Sequence, residues 1–187
     1  DPRVSNQAIQ AVYASGLANG GSLDDATPGL NFFKQLNDAG NFVPVIAKPG
    51  TIDQGATPIT IRWTYNALSH RDASNGNPPI DVTVPATGRF GGVYVQAISA
   101  YAPHPNAAKL WMEYLYSDEG QNIWMAPPGY CYPIRYDDMK KRNVIPQDVL
   151  AKLPDITGAA FPTLDQLDKA KKLITGSWDS VVGADIK

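Results

Sequence analysis

Three stretches of the chain carry side chains that could bind or react. Arg3, Ser5 and Asn6 stand just ahead of a helical pattern made by Ile9, Val12, Tyr13 and Leu17. A helix start exposes unpaired N–H groups and the positive end of the backbone dipole, so it suits a phosphate, phosphonate or carboxylate. There Ser5 would add a hydroxyl and Arg3 a two-pronged fork for an anion. Plain N-capping by Ser5, with Arg3 in solvent, explains the same residue types. The second stretch is Trp63-Thr64-Tyr65-Asn66. Trp63 and Tyr65 could wall a pocket and stack on a ring or a cation while the Asn66 amide orients it, although aromatics on a strand also serve as core packing. The third is Tyr130, within Gly129-Tyr130-Cys131-Tyr132-Pro133, which either touches a ligand or covers a helix end.

The remaining reactive types do not assemble into catalytic machinery. His70 and His104 lie in unrelated contexts, and neither belongs to a His/Cys/carboxylate cluster at metal-ligand spacing. Cys131, the single cysteine, has no activating neighbour in the sequence, and one thiol permits no intrachain disulfide. A nucleophile elbow, a phosphate-binding Walker loop and a dinucleotide fingerprint are all missing. The expectation is therefore no catalytic residue, no metal and no cofactor.

Bulk properties narrow the partners. A formal charge of −2 over 187 residues, with Lys140-Lys141-Arg142 the longest basic run, gives no face that could neutralise phosphates, so nucleic acid is not expected. With 43% hydrophobic residues the chain can bury a real core, yet no stretch is apolar for the roughly 18–20 residues a bilayer span needs. Asp1-Pro2-Arg3 shows neither an initiator Met nor a charged-then-apolar leader, which reads as a start set by processing or truncation.

The elements that must position these groups follow from periodicity. Helices are expected over 5–18, over 28–39 between Pro28 and Gly40, from Pro105 through an apolar face of Ala107, Ala108, Leu110, Trp111, Tyr114 and Leu115, and again after Ser117. Pro146 is placed to start another, and 163–175 repeats Leu164, Leu167, Ala170, Leu173 and Ile174 at helical spacing. Strands are expected at 42–46, at 59–64, where Ile59, Ile61 and Trp63 alternate with Thr60, Arg62 and Thr64, at 80–84 and at 93–99. Helices alternating with short strands argue for an α/β fold.

One long segment carries a resemblance. Ala102-Pro103-His104-Pro105-Asn106-Ala107-Ala108-Lys109-Leu110-Trp111, followed by Tyr114-Leu115-Tyr116-Ser117-Asp118-Glu119-Gly120-Gln121, resembles the helix pair of extracellular solute-binding proteins of ABC importers, of the type that binds iron, polyamines, thiamine or phosphonates. Asp1-Pro2-Arg3, the strand ending Trp63-Thr64-Tyr65-Asn66, and the loop from Gly129 to Arg135 resemble further family segments in family order.

The resemblance implies a type II periplasmic-binding-protein-like α/β fold, with residues 1–98 mostly in the second lobe and 99–187 a helical return into the first. The N-terminal part of the first lobe would be absent, making the chain a C-terminal portion. It implies a small-molecule solute, ABC permease subunits as partners, and a periplasmic or secreted location. Ligand contact would fall on Arg3, Ser5, Asn6, Trp63, Tyr65, Asn66 and Tyr130. Thr64 stands where polyamine-binding relatives carry an acid, and no Tyr-Tyr pair of the iron-binding type is present, so an anionic or zwitterionic organic solute is the expected class. An enzyme or a sensory domain on the same scaffold is the alternative.

Overall fold

A computed structural model describes residues 1–187, which fold into two compact units. Unit 1 comprises Asp1–Trp63, Thr83–Gly92 and Ile156–Lys187, and unit 2 comprises Thr64–Val82 and Val93–Asp155.

Unit 1 is built on α1 (Asn6–Ala18), α2 (Thr27–Asp38) and α9 (Leu164–Val181), with the short α3 (Pro49–Asp53) beside them in sequence. Local chemistry sets the helix starts. Ser5 caps α1 by accepting the Ala8 N–H at 3.4 Å. Thr163 and Gln166 close a reciprocal capping box on α9 at 3.2 and 3.0 Å. Ile9, Val12 and Tyr13 of α1, Leu30 and Phe33 of α2, and Ile174 and Trp178 of α9 share one buried core. Gly29 lets α1 and α2 meet. A Cβ there would lie 2.0 Å from the Val12 carbonyl oxygen, inside any allowed contact.

Unit 2 holds α4 (Thr64–Ala73), α5 (Pro105–Tyr116), α6 (Asp118–Met125), α7 (Tyr136–Lys141) and α8 (Gln147–Leu150). Its core gathers Met125, Met139, Ile145 and Val149. Ser117 caps α6 through the Gly120 N–H at 3.1 Å. The Gln121 side-chain amide donates back to the Leu115 carbonyl. Arg142 grips Asp118 with both terminal nitrogens at 2.6 and 2.7 Å, tying α7 to the start of α6 and holding the Asp118 carboxyl below its usual range.

The four expected strands are corrected by the structure. Residues 42–46, 59–63, 80–84 and 93–99 carry no ladder, and the bridges present are isolated ones, Ser22 to Asp25 and Phe90 to Ala160. The alternation at 59–64 describes a chain that could be half-buried on a sheet, but a strand exists only when another strand takes its N–H and C=O groups. Thr64 opens α4 instead of ending a strand, and Leu68 anchors that helix at 1% exposure. The chain in hand is thus helical with almost no β-pairing, and the α/β architecture expected from the sequence does not appear in it. The final helix also runs to Val181, six residues past its expected end, because Trp178 continues the buried stripe.

Candidate functional site

The start of α1 is the best-defined polar constellation in unit 1. Ser5 and Asn6 lie at its first turn, Asn6 exposed and Ser5 occupied as the cap. Arg3 is held in place by acids. Its Nε and Nη2 donate to the Asp1 carboxylate at 2.9 Å, its Nη1 donates to Asp179 at 3.1 Å, and Asp185 lies 3.6 Å away. One guanidinium thus faces three carboxylates, and the fork that an incoming anion would need is already filled. This local excess of negative charge was invisible in the sequence, since Asp179 lies 176 residues from Arg3.

Trp63 comes to the same helix. Its backbone N–H donates to the Gln7 Oε1 at 3.1 Å, fixing the chain that carries the half-buried indole against α1. One α1 turn on, Gln10 is 8% exposed and its Oε1 is buried without a hydrogen-bond partner. Gly92 completes the group. A Cβ on it would stand 2.8 Å from both the Gln10 Oε1 and the Trp63 ring, so only glycine allows that approach. The sequence reading missed Gln7 and Gln10. The available signal was Gln10 at i and Tyr13 at i+3, a polar side chain on the apolar face of the helix.

The other candidates belong to unit 2. Tyr65 sits in the first turn of α4, and its phenol lies 3.1 Å from that of Tyr94, the rings meeting edge to face at 6.4 Å. That hydrogen bond, with burial added, pushes the Tyr94 phenol up to about 12, so it stays protonated at neutral pH. Asn66, half-buried, follows in the same turn.

Tyr130 is 1% exposed, and its phenol donates to the Asp72 carboxylate. Its backbone is left-handed, with φ at 51°, a conformation uncommon for an aromatic residue and held here by the surrounding packing. The structure therefore puts Tyr130 in the interior of unit 2. Arg71 bonds the same carboxylate at 2.9 Å, so the phenol and the guanidinium share Asp72.

Cys131, beside Tyr130, is half-buried, and burial raises its thiol above the ordinary value. Less thiolate and less access both slow attack on an electrophile. Iodoacetamide at pH 8 is therefore expected to alkylate Cys131 more slowly in the folded protein than in urea. Equal rates in the two conditions would show the thiol to be open. No three His, Cys, Asp or Glu side chains gather where they could share a metal ion. No helix is long and apolar enough to cross a membrane.

A family model described as bacterial extracellular solute-binding protein matches residues 5–122, more than half of the chain. The match spans α1, Gln7, Gln10, Trp63, Tyr65 and Asn66, and ends in α6 short of Tyr130. No curated protein matches the chain.

Proposed function

The chain belongs to the bacterial extracellular solute-binding proteins, and from that premise we propose that it captures a small zwitterionic solute and delivers it to the permease subunits of an ABC importer. The family is a solute-binding one, so a small-molecule ligand and a role in uptake come with membership; the class of solute, the periplasmic location and capture by hinge closure are the proposal. The family lobes would divide near residue 98, as the sequence resemblance implies.

A single observation shapes the solute class. Arg3 is surrounded by Asp1, Asp179 and Asp185, so this corner lacks a spare cation. A purely anionic solute would meet net negative charge there. A solute carrying both charges would set its acid on the first-turn N–H groups of α1. Its ammonium would rest on the face of Trp63, where an indole attracts a cation by roughly 0.5–2 kcal/mol. In unit 1, Ser5, Asn6 and Trp63 are the residues proposed to face solute, with Arg3 holding the helix start. In unit 2, Tyr65 and Asn66 are proposed as solute contacts on the family resemblance, and Tyr130 as an interior support of that unit. The reading is one of binding and not of turnover: the groups at the α1 site comprise amides, a capping hydroxyl, an indole and a guanidinium whose three carboxylate partners are engaged by it.

Isothermal titration tests this with three probes: an aminoalkylphosphonate, the matching alkylphosphonate without the amine, and a plain diamine. The aminoalkylphosphonate is expected to bind at least tenfold more tightly than either single-charge probe. Trp63→Ala is expected to weaken it by about tenfold or more, the size of a desolvated cation–π contact. Tighter binding of the alkylphosphonate would restore the simple anion. Tighter binding of the diamine would make Arg3's acids the dominant partners.

A further inference from the structure

Unit 1 buries one polar side chain that its own fold leaves unused. Gln10 is 8% exposed on α1, flanked along the helix by the buried Ile9, Val12 and Tyr13, and its Oε1 has no hydrogen-bond partner. A buried acceptor without a donor is a net cost to folding, which an apolar side chain of the same length would remove. The oxygen is aimed at one place. A Cβ on Gly92 would stand 2.8 Å from it and 2.8 and 3.0 Å from Cη2 and Cζ3 of Trp63, so Oε1 faces the bare glycine backbone and the rim of the indole. Gln7 and Gln10, three residues apart, share a face of α1. The Gln7 Oε1 accepts the Trp63 N–H at 3.1 Å and fixes the backbone that carries the ring, while the Gln10 oxygen lies against the ring itself. All four residues belong to unit 1.

We infer that the Gln10 oxygen accepts an N–H of the solute's ammonium and so restricts the site to amines that carry a hydrogen. This deepens the zwitterion reading above and rests on it. An indole face attracts a cation through charge alone, so a trimethylammonium satisfies the ring as well as a primary ammonium does. A carbonyl acceptor beside the ring adds a demand the ring cannot make. An ammonium with a hydrogen gains a charge-assisted bond to it, stronger than one between neutral groups. A quaternary ammonium leaves the acceptor unpaired and sets methyl groups against it, which is how a buried polar group rejects a ligand that lacks its complement. The cover over the oxygen is part indole and part backbone. Trp63 is half-buried, so its ring is the part that turns aside to admit the ammonium, and Gly92 supplies room because any side chain there would fill the approach.

Isothermal titration of the purified chain tests this with three probes that differ only at nitrogen: the aminoalkylphosphonate as its primary amine, its N,N-dimethyl form and its N,N,N-trimethyl form. All three are cationic at neutral pH, and the dimethyl form keeps one N–H at nearly the bulk of the trimethyl form. The primary and dimethyl forms are expected to bind about tenfold or more tightly than the trimethyl form, the size of one hydrogen bond to a charged group. Gln10→Met keeps the side-chain length and removes the acceptor, and is expected to shrink that preference to about threefold or less. The same variant gives a readout without solute. Its urea unfolding midpoint is expected to equal or exceed that of the native chain, because an unpaired buried acceptor has been removed. Rejection of the dimethyl form along with the trimethyl form would make size the cause and overturn the proposal, and so would a preference that Gln10→Met leaves intact. A lower midpoint shows that Gln10 already has a partner in the fold, a bound water included, and overturns it as well. The two readings fail differently: no binding of any probe sinks the zwitterion reading and this one with it, whereas three equal affinities sink the assignment of Gln10 alone.

Discussion

Trp178→Ala is expected to lower the unfolding free energy of unit 1 by about 3–5 kcal/mol, the largest effect of any single truncation in the chain. Trp178 is 1% exposed on α9, with Phe33 of α2 at 5.8 Å and Phe42 at 6.1 Å between ring centroids. Phe33 and Phe42 pack edge to face at 5.6 Å, so the three rings form one cluster. Removing the indole leaves a void in that cluster that neither phenylalanine can fill without leaving the other. The indole Nε1 also donates to the Ala184 carbonyl at 3.0 Å, which fastens the chain beyond α9 back onto the helix. Trp178→Phe separates the two contributions. It keeps most of the apolar surface and is expected to lose only about 1–2 kcal/mol through the missing hydrogen bond and the smaller ring. Urea unfolding followed by far-ultraviolet circular dichroism reads both. A loss below about 1 kcal/mol for Trp178→Ala would show that α9 does not carry the core.

Tyr130→Phe is expected to destabilise unit 2 by about 1.5–3 kcal/mol, toward the lower end because Asp72 is partly in water. The substitution removes the phenol from a carboxylate that is 44% exposed and also held by Arg71, leaving the aromatic packing intact. The loss should depend on pH in a set direction. The phenol's hydrogen bond is the main reason the Asp72 carboxyl titrates below its usual range. A depressed folded-state value means that the charged form is the stabilised one. Its contribution is complete above the unfolded carboxyl value, about 3.9, and fades as pH falls through the lower folded value. The gap between native protein and Tyr130→Phe is therefore expected to be constant from neutral pH down to about 4 and to narrow below it. A gap that widened in acid would remove Asp72 as the phenol's partner. Titration of the same variant with the aminoalkylphosphonate adds a second readout: unchanged affinity assigns Tyr130 to the scaffold of unit 2 alone, and a weakened one shows that solute binding depends on that scaffold.

The two substitutions share a lesson about what local sequence can carry. Ser5, Thr163 and Ser117 cap their helices as residue type and position foretell, because an N-cap satisfies N–H groups two or three residues away. Pro28 and Pro105 enter their helices in the first turn, where a missing N–H has no cost. The helical spacing of α5 was equally legible, although Leu110 and Trp111 on its apolar face stand exposed. What the periodicity of 59–64 and 93–99 could not supply was a partner. Strand formation depends on which other segment is near, and no pattern within six or seven residues contains that information.

The candidate site divides along the same line. The residue types around Arg3 and Trp63 gave the expectation that a small molecule is held there. Only the tertiary structure decided that Arg3 answers to Asp179 from the far end of the chain and that Gln10 is buried beneath Gly92. It likewise decided that Tyr130 turns inward to Asp72 while Tyr65 pairs with Tyr94. Caps, breaks and amphipathic faces are encoded within a turn or two because their partners are neighbours in the chain. Charge balance, burial and pairing come from residues 29 to 176 positions apart, and those are settled only when the chain has packed.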